Sequence, residues 1–208
     1  MSTGVLMPQT TPIAFATEIM GQNFYGPDER FGAGSPDDFV PIPFAPNFLQ
    51  RHQSDHALIF IPAISSADMI RRFPQYFMDL SHRPCQYAQE PFARSWGHAR
   101  WHLIALNPLP GSTDKTWHEQ VVLLKQGATV PSARSLAFLA LAHYLRTRKV
   151  LFEDNPGRSS STVIITNERH HIAVRCFQDA NSPLSIVFMP RPDSMRLALT
   201  SIAQEFTG

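Results

Sequence analysis

The chain has 208 residues, 18 Lys and Arg against 17 Asp and Glu, and a formal charge of +1. That length suits one domain of ordinary size with an appendage, and near-neutrality leaves no electrostatic footprint for nucleic acid or an acidic membrane surface. A charged share of 17% beside 15 Phe and 18 Pro excludes a solvated disordered chain, which is rich in charge and poor in aromatics.

Cys85 and Cys176 are too few for a disulfide framework and read as reduced, buried thiols. No basic-then-apolar leader opens the sequence, and the longest apolar run, 136–142, falls far short of the ~20 residues of a membrane span. The expectation is a soluble, cytoplasmic protein without membrane or nucleic-acid partners.

Residues 1–56 read as an extended arm. Seven prolines and five glycines precede Asn47, and Pro41-Ile-Pro-Phe-Ala-Pro46 forces an extended path because each proline fixes its own φ and restricts its predecessor. The arm nevertheless carries Phe15, Phe24, Tyr25, Phe31, Phe39, Phe44 and Phe48. Such a segment must lie on something: its own domain, a protein partner, or a sister subunit in a homo-oligomer.

Residues 57–208 read as a single α+β domain. Ala57–Ile61 is a buried strand ended by Pro62. Ser65 or Ser66 caps a short helix with Asp68 near its positive end and Met69, Ile70 and Phe73 on its apolar side. Pro74 breaks or restarts that helix, and 83–94 is a packed loop. Arg100–Leu106 is a central strand, with Trp101, Leu103 and Ala105 on one face and His102, Ile104 and Leu106 on the other. Thr116-x-x-Glu119 is a capping box opening a helix to about Lys125, with Trp117, Gln120 or Val121, and Leu124 as its inner stripe. Ser132 caps the longest helix, 133–148. It is apolar nearly all round and is expected to be the buried helix on which an antiparallel, hairpin-built C-terminal sheet packs. That sheet is read from 150–152, 162–166, 172–177 and 184–189, with turns at 154–158 and 167–170 and an interruption at Pro190-Arg-Pro192. Residues 195–201 favour a strand, although Met195, Leu199, Ile202 and Phe206 also fit a helical face.

Six short motifs follow in order: Phe73-Pro74; Tyr87-Ala-x-Glu90-Pro-Phe-Ala93; Trp101-His-Leu-Ile104; Lys115-Thr-Trp-x-Glu-Gln120; Val130-Pro-Ser-Ala-Arg134; and Leu151-Phe-Glu153. The series resembles a family of uncharacterised bacterial proteins across roughly residues 57–206. Members often close near Ser-Ser-Ala-Arg-Lys-Phe, where this chain has Thr200-Ser-Ile-Ala-Gln-Glu-Phe206. The resemblance implies a folded module and carries no activity, cofactor or catalytic residue.

The chemical motifs mostly fail on spacing. A phosphate loop before Lys115-Thr116 needs glycines where Asp114 and Leu109 stand. His98 and His102 would lie about 13 Å apart on a strand. His118-Glu119 lacks the second histidine of a zinc-protease helix, since Val122 stands there. His170 and His171 point to opposite faces of a hairpin. No metal and no cofactor are expected. Three functions remain open. The first is a non-enzymatic structural or binding module docking through its arm. The second is a small hydrolase or transferase using Cys85, His82 and His118 near residues 96–119, with Cys85 activated by its basic neighbours. The third is a surface-recognition module built on the C-terminal hairpin loops. Trp96–Leu124, which holds all three tryptophans, reads as the structural keystone.

Overall fold

A computed structural model of the chain describes residues 10–28, 41–78, 90–124, 128–152, 156–165, 168–178, 184–192, 198–199 and 201–203. The fold is α+β. Its centre is helix α6, Ala133–Thr147, in which every residue from Ala133 to Leu141 is buried, and Tyr144 with them. Ser132 starts the helix by accepting from the Ser135 N–H, and Arg148 ends it in the left-handed region. A helix this apolar cannot be covered from one side. Two sheets enclose it.

The first sheet has the order β1-β2-β3-β8: Phe24–Tyr25, His56–Ile61, Arg100–Ala105 and Ile202–Ala203. Strands β2 and β3 are antiparallel in full register, His56 opposite Ala105 through Ile61 opposite Arg100. The two faces divide as the alternation implies. Ala57, Ile59, Ile61 and Ile104 pack with α6, while Leu58, Phe60, Trp101 and Leu103 join a separate core. The second sheet has the order β6-β5-β4-β7: Ser185–Pro192, Glu168–Phe177, Gly157–Ile165 and Ala198–Leu199. Strands β4, β5 and β6 pair antiparallel, and Ile172, Val174, Cys176 and Ile186 complete the core around α6. The chain then crosses between sheets: Ala198–Leu199 pairs with β4, and Ile202–Ala203 pairs with β3.

The separate core answers the question of where the arm lies. Helices α1, Ile13–Met20, and α2, Pro46–His52, cover the outer face of the first sheet, with Ala16, Met20, Ile42, Phe44 and Leu49 buried there. The arm is therefore not extended throughout. Pro12 is the N-cap of α1 and Pro46 stands in the first turn of α2, so these prolines start helices, a position where the missing N–H is no loss.

Other expectations shift for identifiable reasons. Residues 150–152 form no strand, because Phe152 has φ +62°, outside the extended region. The segment 167–170 is not all turn, since β5 begins at Glu168. Pro190 and Pro192 do not interrupt β6, because it is an edge strand whose outer N–H groups need no partner. Helix α5, Trp117–Val122, is shorter than expected, and its stripe is polar at the core: Gln120 is buried while Val121 is exposed. The capping box is present in both halves, as is the Ser65 cap of α3, Ser66–Arg72. Within 195–201, Ala198–Leu199 is strand. Ser159 to Ser161 sit in a β-bulge: Ser159 Oγ donates to the Ile172 carbonyl, and Ser161 Oγ accepts from the Ala133 N–H.

A buried cation braces the first sheet against α6. The buried Arg134 guanidinium donates to the carbonyls of Pro62, Ile64 and Trp96. His102 is buried and accepts from Arg100 Nε at 3.1 Å. Burial first, then the positive Arg100 and Arg134, hold its pKa down to about 3.

Two outcomes follow from these contacts. At Gly97, φ is +59° and an added Cβ would stand 2.5 Å from Arg134 Nη2. Gly97→Ala should lower stability by ~2 kcal/mol in urea denaturation, through left-handed backbone and displacement of the guanidinium together. His102 is neutral when folded down to about pH 3, whereas the unfolded chain protonates it below its ordinary 6.5. Stability should therefore fall by about 1.4 kcal/mol per pH unit through that window, with no contribution from this residue above it. His102→Gln should flatten the acid limb of a stability–pH curve; an unchanged limb would refute the assignment.

Candidate functional site

The residues that converge are His52, Asp55 and His56. His52 ends α2, Asp55 lies in the turn Gln53–Asp55, and His56 opens β2. A helix end, a tight turn and a strand start bring three side chains to one point. One potential ligand atom from each lies within 4.8 Å of the other two. Asp55 Oδ1 and His56 Nδ1 are 2.7 Å apart, a carboxylate–imidazole hydrogen bond. The Asp55 side chain is 58% exposed and that of His56 only 10%, so the pair spans the boundary between solvent and interior.

The backbone beneath them is tied on two sides. Buried Asn23 donates from Nδ2 to the Gln53 carbonyl at 2.8 Å. The Leu106 N–H donates to the Asp55 carbonyl at 2.9 Å, extending the β2–β3 ladder into the turn. The rings are positioned by stacking at a spacing of four residues. Phe44 and Phe48 stack at 5.7 Å between centroids, Phe48 and His52 meet at 4.7 Å, and His52 and His56 at 4.5 Å edge to face. This ladder runs from the buried Phe44 to the site.

A cavity of about 560 Å³ opens against the same three residues, within the range of small-molecule sites. Its wall is largely apolar: Phe48, Ala105, Pro108, Leu109, Leu123 and Ala203. Besides the cluster, Asn107 and Ser201 supply its polar groups. The loop 107–110 is held by the Leu109 N–H donating to the Leu199 carbonyl, and its two prolines restrict the wall.

The residues singled out from sequence are placed as follows. Tyr25 and Phe44 are buried in this chain's own cores, and Phe24 and Phe48 are half-buried against the arm's core. Phe24 contacts Trp101 at 5.6 Å between ring centroids, and the Tyr25 hydroxyl lies 2.7 Å from His143 Nδ1. Phe15 is 43% exposed. Phe31, Phe39, His82 and Cys85 lie outside the described residues, as do 179–183 and 193 of the hairpin tips. His118 is exposed on α5 and does not line the cavity. His98 is exposed and His102 buried. His171 is buried, 3.0 Å from the Ser159 carbonyl and stacked on Trp117 at 3.7 Å. Cys176 is buried with its thiol pKa pushed up by burial, which suppresses thiolate chemistry.

The cluster was missed because His52 and Asp55 fall at the end of the Pro-rich arm, where no regular element is expected. The readable signal was His52-x-x-Asp55-His56, two imidazoles and a carboxylate within one helical turn's length of sequence. No helix among the described residues is long and apolar enough to cross a membrane. No protein-family model, no curated protein and no solved structure matches the chain.

Proposed function

We propose that the cavity between the α2–β2 turn and the 107–110 loop is the functional site of an enzyme acting on a small molecule with an apolar body and a polar head. The observation that carries this reading is the arrangement of the lining. Three titratable groups lie together in a lining that is mostly apolar, where they can orient and act on the polar head of a bound molecule. Asn107 and Ser201 add hydrogen-bonding capacity nearby. Hydrolysis or group transfer suits such a head, and residues 107–110 lie inside the 96–119 stretch expected from sequence for that class.

The competing reading, a non-enzymatic module docking through its arm on a partner or sister subunit, draws on Phe15 at 43% exposure. It has less support in Phe24, Tyr25, Phe44 and Phe48, whose rings pack into the chain's own cores.

A panel of small esters, amides and carboxylates with aliphatic or aromatic bodies tests the site by thermal shift. A ligand present at about 100 times its Kd should raise the melting temperature by about 5–10 °C. Leu109→Trp, which fills the cavity from a loop, should abolish the shift while leaving the unliganded melt nearly unchanged. A panel without a single Leu109-sensitive ligand would count against the reading.

A further inference from the structure

We propose that His52, Asp55 and His56 bind one divalent first-row transition cation where they line the cavity. The inference rests on the cavity being the functional site and names what these three residues hold.

Donor chemistry comes first. Two imidazoles and one carboxylate form a set that suits zinc, cobalt or ferrous iron better than magnesium or calcium, which take oxygen ligands. Geometry comes next. Bonds of about 2.0–2.2 Å place the ligand atoms of one ion roughly 3–4 Å apart, and these three already lie within 4.8 Å of one another. Side-chain rotations close the remainder. The 2.7 Å separation of Asp55 Oδ1 and His56 Nδ1 would subtend roughly 80° at a bound ion with bonds of that length, near an octahedral edge. A cation there replaces the proton that the pair now shares.

The support around the cluster is of the kind a metal site needs. The turn backbone is fixed by Asn23 and Leu106, and the His52 ring is held between Phe48 and His56. The protein supplies three ligands, and the cavity adjoins them. Remaining coordination positions can therefore be taken by water or by the polar head of a substrate. Asp55 is exposed enough for an ion to enter from solvent.

The full-length chain, dialysed against chelator and then against buffer, tests this by calorimetric titration with Zn2+ and by visible absorption with Co2+. One ion per chain is expected. His52→Ala, Asp55→Asn and His56→Ala should each weaken it by more than the 10–100-fold that loss of an outer-shell partner costs. His118→Ala, at an exposed position that does not line the cavity, should leave binding intact. Asp55→Asn keeps the side chain's size at an exposed position and so guards against misfolding, and a metal-free melt of each variant checks the others. Absence of binding by the wild type, or binding indifferent to His52→Ala and Asp55→Asn, overturns the proposal. Leu109→Trp separates the two readings, since it should block small molecules and spare the ion. Small-molecule binding without metal sinks the metal inference alone. Metal binding with no Leu109-sensitive ligand upholds the ion and sinks the cavity reading.

Discussion

Helix α6 is apolar on nearly every face, so one sheet cannot cover it and two must. Each Leu or Phe fully buried along it contributes about 1.5–3 kcal/mol, and the run from Ala133 to Leu141 has no exposed member. The arrangement requires a cation in an awkward place. Arg134 lies in the first turn of α6, where the helix dipole opposes positive charge, and it is buried. Carbonyls of Pro62, Ile64 and Trp96 surround the guanidinium and offset both penalties. These acceptors come from the end of β2 and from the segment entering β3, so one side chain fixes α6 to both central strands. Gly97 has no Cβ because that space is occupied by the same guanidinium.

Enclosing α6 leaves the first sheet with an apolar outer face, and helices α1 and α2, with Ile42 and Phe44, cover it. This has a consequence for the site. The covering segment must return to the sheet to become β2, and it does so through the end of α2 and the turn 53–55. The tightness of that return places His52, Asp55 and His56 together. It also places them at the sheet's end rather than over its face, beside the loop that leaves β3 at Asn107. The cavity lies between these two exits from the sheet, and Ser201 and Ala203 from the last crossing close another side. The arm and the site are thus one construction, in which the segment that completes the fold also carries the ligands.

Legibility in sequence followed the strength of local patterns. Strand β3 was readable to its faces, because Trp101, Leu103 and Ile104 alternate between two cores. The caps at Ser65, Thr116 and Ser132 were readable because a short side chain and a backbone N–H three residues on suffice to define them. The hairpin sheet and its packing on α6 were readable from β-branched runs and from a helix without a polar face. The arm was not, because proline-rich sequence implies an extended path, whereas Pro12 and Pro46 each begin a helix. Strand β6 was cut short for a similar reason: whether a proline is tolerated depends on its being at a sheet edge, and edge position is a property of topology. The site shared the arm's fate. Its residues are adjacent in sequence, yet their convergence depends on a turn whose shape is set by Asn23 and Leu106, about thirty and fifty residues away.

The ladder from Phe44 to His56 bears on whether the cluster is mere packing. Four rings follow at intervals of four residues, and the first two are phenyl. Apolar burial alone would favour phenyl at every rung, since an imidazole brings less hydrophobic area and polar atoms that must be satisfied. The switch from Phe to His occurs where the ladder reaches the cavity, and a carboxylate stands at that end. Of the two imidazoles, His56 is the more deeply buried and hydrogen-bonds Asp55, which keeps contact with water. A structural histidine needs only one such partner. A second imidazole meeting the first edge to face, with an apolar chamber beside both, is more polar chemistry than the fold requires at that corner.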